Sequence, residues 1–218
     1  DHPVRFLSVS DAGDICYAFD GSLWLRPAGA DASRRLTVTV AADRRTNRTQ
    51  PVDVSTKITE FAVSPDGGEV AFIARGEVFV TSAEHGATRR ITSSPEQERS
   101  VSFSPDGRSL LYASERGGSW NIYRTDLADE DEPDFFNATS LVEKPVLEID
   151  EETFQPLFSP DGKAVSYLLE RTELQVLDLE SGDRRTVLPG DANYSYADGD
   201  QWYQWSPDGS RFLVDFLS

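Results

Sequence analysis

The chain reads as all-β: a β-propeller of four four-stranded blades plus half of a fifth, a partial ring from a larger propeller. Two observations predict this. The tetrapeptide Ser-Pro-Asp-Gly occurs at Ser64–Gly67, Ser104–Gly107, Ser159–Gly162 and Ser206–Gly209, at intervals of about 40, 55 and 47 residues, the range of one blade with insertions. Each copy stands between two short runs of strand-like alternation, and no segment shows a helical apolar stripe.

The turn chemistry explains why the tetrapeptide recurs. Proline presets φ near −65°, aspartate bonds its own backbone two residues on, and glycine accepts positive φ. Before each serine, apolar residues alternate (Phe61 and Val63, Val101 and Phe103, Pro156 and Phe158, Tyr203 and Trp205). After each glycine comes a second strand-like run: Val70–Ile73, Leu110–Ala113, Val165–Leu168 and Phe212–Val214. Strand, turn, strand is a hairpin. A degenerate copy, Ser10-Asp11-Ala12-Gly13, lies in phase at the start of the chain.

Two outer strands complete each unit. They are Ser22–Arg26 and Arg35–Val40, Glu77–Ser82 and Thr88–Thr92, Trp120–Arg124 and Leu141–Leu147, and Glu173–Asp178 and Arg184–Leu188. The blades fall at about 1–40, 58–92, 99–147, 152–188 and 201–218, with a polar insertion at 41–57, and together they read as one partial propeller. The last blade lacks its outer pair, so the expectation is a fragment of a ring of about six or seven blades.

Composition narrows the partners. A net charge of −17 excludes a nucleic-acid backbone as ligand. It fits either a solvated acidic surface or a negative funnel for cationic ligands and peptide amino termini. No apolar run approaches the roughly 20 residues of a membrane span. A single cysteine, Cys16, allows no internal disulfide and sits in an apolar strand as a core thiol.

Catalytic machinery is not expected. The two histidines are His2, at the terminus, and His85, in a turn. Neither offers a serine nucleophile its base, and the repeated turn serines are structural. No Cys/His cluster has zinc spacing. Asp191, Asp198 and Asp200 offer oxygen ligands of the kind calcium takes, but no run matches an EF-hand and Asp-Gly is ordinary turn chemistry, so no metal or cofactor is expected. The acidic run Asp129–Asp134 reads as a solvated loop on the face of the Pro-Asp-Gly turns. Binding is expected instead where the loops entering each blade converge on the channel mouth. The candidates there are Glu98, Arg99, Glu152, Tyr194, Tyr196, Asp198, Asp200 and Trp202.

Several stretches carry a resemblance: His2–Ser8, Thr92–Arg99, Tyr112–Arg116 and Tyr194–Gly209. With the Ser-Pro-Asp-Gly blades, they resemble the propeller repeats shared by TolB and the tricorn-type serine peptidases, most closely the bacterial tricorn-like peptidases. That resemblance implies a non-catalytic propeller segment, exported to the periplasm or cell surface of a bacterium. It would guide peptides to a catalytic domain, with further blades, a PDZ domain and a peptidase domain elsewhere in the parent chain. None of that family's catalytic residues has a counterpart here. The alternative it leaves open is a TolB-like scaffold that binds proteins or peptides with no peptidase attached.

Overall fold

The structure is a computed structural model that describes residues 4–38, 53, 56–192 and 202–215. Its strands form four four-stranded antiparallel sheets and one two-stranded sheet. The chain divides into two compact units, Asp1–Pro51 and Val52–Ser218. Most of the insertion at 41–57 lies outside the described residues.

The first unit holds one sheet, in the order β1 (Arg5–Val9), β2 (Ile15–Phe19), β3 (Ser22–Arg26) and β4 (Arg34–Arg35). Its degenerate turn keeps part of the device used by the full copies. Ser10 Oγ accepts from the Asp14 amide at 3.0 Å, and the Gly13 amide donates to the Ser10 carbonyl at 2.9 Å. Cys16, on β2, is half-buried.

The second unit holds the other four sheets. The first is β5 (Ile58–Val63), β6 (Glu69–Ala74), β7 (Glu77–Ser82) and β8 (Thr88–Arg90). The next is β9 (Glu98–Phe103), β10 (Ser109–Ser114), β11 (Asn121–Leu127) and β12 (Leu141–Leu147). Then come β13 (Thr153–Phe158), β14 (Ala164–Leu169), β15 (Glu173–Asp178) and β16 (Arg184–Leu188). The half blade is β17 (Tyr203–Trp205) with β18 (Phe212–Val214). Each sheet meanders in chain order, and the first strands β5, β9 and β13 lie side by side.

The four full turns are built alike. The serine hydroxyl donates to the aspartate Oδ1 at 2.6, 2.5, 2.6 and 2.6 Å. The same hydroxyl accepts the amide five residues on, at 2.9 Å in each of the four turns. Aspartate Oδ1 also accepts the amide two residues after it, and the glycines have φ between 70° and 77°. A hydroxyl and a carboxylate thus satisfy backbone donors that the hairpin would otherwise leave bare. At Asp66, Asp161 and Asp208 the serine hydroxyl bond and then the backbone amide hold the carboxyl below its usual range, at Asp208 to about 2. At Asp106 burial pushes upward, but the Ser104 and Arg108 bonds outweigh it.

The turns also join blades. A Cβ placed on Gly107 would sit 3.6 Å from Pro65, one on Gly162 3.8 Å from Pro105, and one on Gly209 3.6 Å from Pro160. Each glycine therefore lies against the proline of the preceding copy, so one tetrapeptide supplies both the hairpin and part of the inter-blade contact.

Between the sheets the core is apolar. Ile73, Val78, Val80, Leu110 and Tyr112 pack in one cluster, and Leu111, Ile122, Val165, Tyr167 and Leu177 in another. β10 is buried throughout, as expected of a strand covered on both faces.

The acidic segment 128–140 departs from the solvated-loop expectation. Asp129, Glu130 and Asp131 are exposed, but Phe135 is wholly buried in the same cluster as Leu110. Phe135 meets Phe103 edge to face with ring centroids 6.1 Å apart. The buried Glu69 carboxylate accepts the Phe136 amide at 2.8 Å. Arg108 donates to the carbonyls of Glu132 and Asp129 at 3.0 and 2.6 Å, and Arg89 donates to that of Ala138. The segment is a staple between two blades, and its charges are the exposed back of that staple. Because Arg108 follows the second full turn, the segment lies on the turn face, as the sequence implies.

Candidate functional site

The site is built from irregularities in the first strands of the second unit's full blades, and the first unit's β1 shows the same kind of irregularity. In β1, β5, β9 and β13 the pairing register breaks near the strand's start. In three of them the break holds a non-glycine residue with positive φ: Phe6 at 54°, Ser100 at 59° and Gln155 at 49°. Left-handed backbone costs a non-glycine residue roughly 1–2 kcal/mol, so it persists only where surroundings enforce it. Bulges of this kind re-aim side chains and peptide groups out of the ladder.

In the second unit the bulges are tied to neighbouring blades. Glu60 Oε2 accepts the Ser100 amide at 2.5 Å, and the Tyr203 hydroxyl donates to the Gln155 carbonyl. Ser102 Oγ donates to the Pro156 carbonyl at 3.3 Å. Burial pushes the Tyr203 phenol upward, so this group stays a protonated donor.

Between these strands opens a cavity of about 370 Å³. Its walls include Glu60, Arg99, Phe154, Gln155, Arg171 and Trp202. Trp202 is 51% exposed, an amphipathic ring left at the rim. Arg99 lies over the ring of Trp120, 5.5 Å from its centroid. Arg171 lies over Phe154 at 4.6 Å, and the Trp120 and Phe154 centroids are 5.9 Å apart. Two guanidinium groups thus flank a touching aromatic pair.

The structure separates the residues picked out from sequence. Arg99 and Trp202 line the cavity together. Glu152 is half-buried beside it, 3.8 Å from Arg171. Tyr194, Tyr196, Asp198 and Asp200 lie outside the described residues.

Glu98 does not open onto the cavity. Its side chain is fully buried, because the bulge turns it into the blade while its neighbour Arg99 stays exposed. It accepts from Ser94 Oγ at 2.9 Å, Ser114 Oγ at 3.1 Å and Arg116 at 3.2 Å. Burial pushes its carboxyl upward against those bonds. Arg116 also grips Glu143 through two bonds of 2.7 and 2.8 Å and lies 4.5 Å from the Tyr123 ring centroid. This is a structural ion network.

Sequence reasoning passed over Arg171, Glu60 and the Phe154–Trp120 pair. Arg171 sits between Glu170 and Thr172 in the three-residue turn joining β14 to β15, and Glu170 and Arg171 both have positive φ. The matching turns elsewhere are Asp20-Gly21 and Arg75-Gly76, also at positive φ, a pattern favoured in tight hairpins. Aligning those positions across blades would have placed Arg171 beside the next blade entrance. Among the described residues, no three His, Cys, Asp or Glu side chains are gathered in a way that holds a metal ion. His85 is exposed, 3.8 Å from Glu84.

Comparison with known proteins agrees on the fold. No family model matches the chain. Tol-Pal system protein TolB from Bordetella pertussis and its counterpart from Bordetella parapertussis are each 42% identical over 52 residues, which is 23% of this chain and 12% of theirs. Among solved structures, TolB from Agrobacterium tumefaciens superposes with a TM-score of 0.52 at 16% identity, covering 98% of this chain and 80% of that one. TolB from Acinetobacter baumannii gives 0.50 at 18%, covering 98% and 54%. The β-propeller domain of Cps50 (Swd1) from Myceliophteria thermophila gives 0.52 at 13%, covering 99% and 62%. The architecture is a TolB-like β-propeller, and these likenesses carry the fold alone.

Proposed function

We propose that this chain is a non-catalytic binding propeller that holds an extended protein or peptide segment against the first strands of its blades. One observation carries the reading. Bulged strands of neighbouring blades, held by Glu60 and Tyr203, frame a cavity with a half-exposed tryptophan at its rim. Rigid convergent elements with a few polar groups are what such sites are made of, and aromatic anchors supply most of their affinity. The local identity to TolB proteins supports a scaffold of the TolB kind, exported to the periplasm or cell surface. The stretches that resemble tricorn-like peptidases support a narrower form of this reading. In it the bound segments are peptides on their way to a catalytic domain elsewhere in the parent protein.

A random peptide library displayed on phage, selected on the chain of residues 1–218, tests the reading. Selected peptides are expected to bind at least tenfold more weakly to Trp202→Ala, since losing an aromatic anchor costs about 1.4 kcal/mol or more. They should bind equally to Arg185→Ala, on the exposed outer strand β16. Recovery of no binding peptide, or indifference to Trp202→Ala, would remove the cavity from consideration.

A further inference from the structure

Within that reading, we infer that the cavity seats an aromatic side chain of the bound segment, stacked on the open face of the Arg99 guanidinium beside Trp202. The inference rests first on charge. Arg99 and Arg171 are set against Glu60 in the wall and Glu152 beside it, so two cations and two carboxylates offset one another. A charged side chain of either sign would give up its hydration there for no net attraction. Size limits the occupant to a single group. The cavity's volume of about 370 Å³ is at the small end of ligand sites, which run from about 300 to 1,000 Å³.

The walls then select among neutral groups. Val101, Pro156, Leu157 and Tyr203 supply apolar surface, and Trp202 presents its half-exposed ring at the rim. Arg171 is already engaged, over Phe154 and toward Glu152, and serves as a fixed wall. Arg99 differs. It is exposed, and among the described residues its guanidinium makes no hydrogen bond or ion pair. The Trp120 ring lies against one face, its centroid 5.5 Å from the guanidinium carbon, and the other face is left to the cavity. Trp120 is 7% and Phe154 5% exposed, so the rings that hold the plane are fixed parts of the core. A guanidinium stacked on one ring accepts a second ring on its opposite face. It attracts a π face electrostatically, where it gives an aliphatic chain dispersion contact alone.

The test titrates two neutral probes of similar size into the chain of residues 1–218: N-acetylphenylalanine amide and N-acetylcyclohexylalanine amide. Both carry a six-membered apolar ring, and the first alone has a π face. The readouts are the indole N–H resonance of Trp202 and the Nε–H resonance of Arg99 in nitrogen-15 spectra, assigned by Trp202→Phe and Arg99→Gln. Saturable shifts are expected at both resonances with the phenyl probe. It should bind about threefold more tightly than the cyclohexyl probe, the size of a partly exposed cation–π contact. In Arg99→Gln, where Trp202 still reports, that preference should vanish. Equal affinity for the two probes, or a phenyl preference that survives Arg99→Gln, would overturn the aromatic inference while leaving the cavity as a binding site. Shifts from neither probe would overturn it as well. Binding of the phage-selected peptides then decides the broader reading on its own.

Discussion

Phe135→Ala is expected to cost about 3–5 kcal/mol of unfolding free energy, as deletion of a fully buried phenyl does. Its ring is wholly buried and meets Phe103 edge to face. Burial of this ring holds a segment that otherwise offers water mainly charge, so its loss also releases the Glu69 bond to the Phe136 amide. Glu69 would then be a buried acceptor short of a donor. Glu130→Ala, at an exposed position of the same segment, should stay within about 0.5 kcal/mol. Urea unfolding of the two variants checks the pair. Equal small effects would mean that the segment is the solvated loop its composition first implies.

Arg116→Ala is the second large effect, again about 3–5 kcal/mol, because it strands buried charge. Arg116 is the cation shared by Glu98 and Glu143. The effect has a pH signature. Burial raises the native Glu98 carboxyl, so the folded state holds its proton more tightly than the unfolded chain. That cost is absent below the ordinary glutamate range and grows as pH rises through the raised value. Removing Arg116 takes away one of the bonds opposing the rise.

Glu143 behaves in the opposite sense in the intact protein. Burial pushes its carboxyl up, but the Arg116 and Tyr112 bonds outweigh it and the net is downward. Its contribution is present above the ordinary glutamate range and lost as pH falls through the lowered value. Without Arg116 much of that contribution disappears at neutral pH. Both groups therefore make the deficit larger at pH 8 than at pH 4. Denaturant titrations of wild type and variant at the two values check it, and a deficit independent of pH would contradict the assignment.

Much of this architecture is legible in the chain because its signals are local. Ser-Pro-Asp-Gly encodes the turn, its hydroxyl and carboxylate bonds and its glycine φ within six residues, and the flanking alternation encodes the strands. The Phe135 staple was hidden because net charge dominates that segment while one phenyl decides its placement. The site was only partly legible for a different reason. Arg99 and Glu98 are neighbours, yet a strand sends them to opposite sides, and the bulge at Ser100 that fixes which goes where has no glycine or proline to announce it. Arg171 meets Phe154 only through the fold, across a hairpin turn that lacks the usual glycine.

An extended segment is expected to bind along the bulged first strands. Hydrogen–deuterium exchange of the chain, with and without a phage-selected peptide, checks this. Protection is expected at residues 99–101, 154–157 and 202–203, with none at the Pro-Asp-Gly turns. Protection confined to those turns or to the outer strands, with the first strands unchanged, would contradict it.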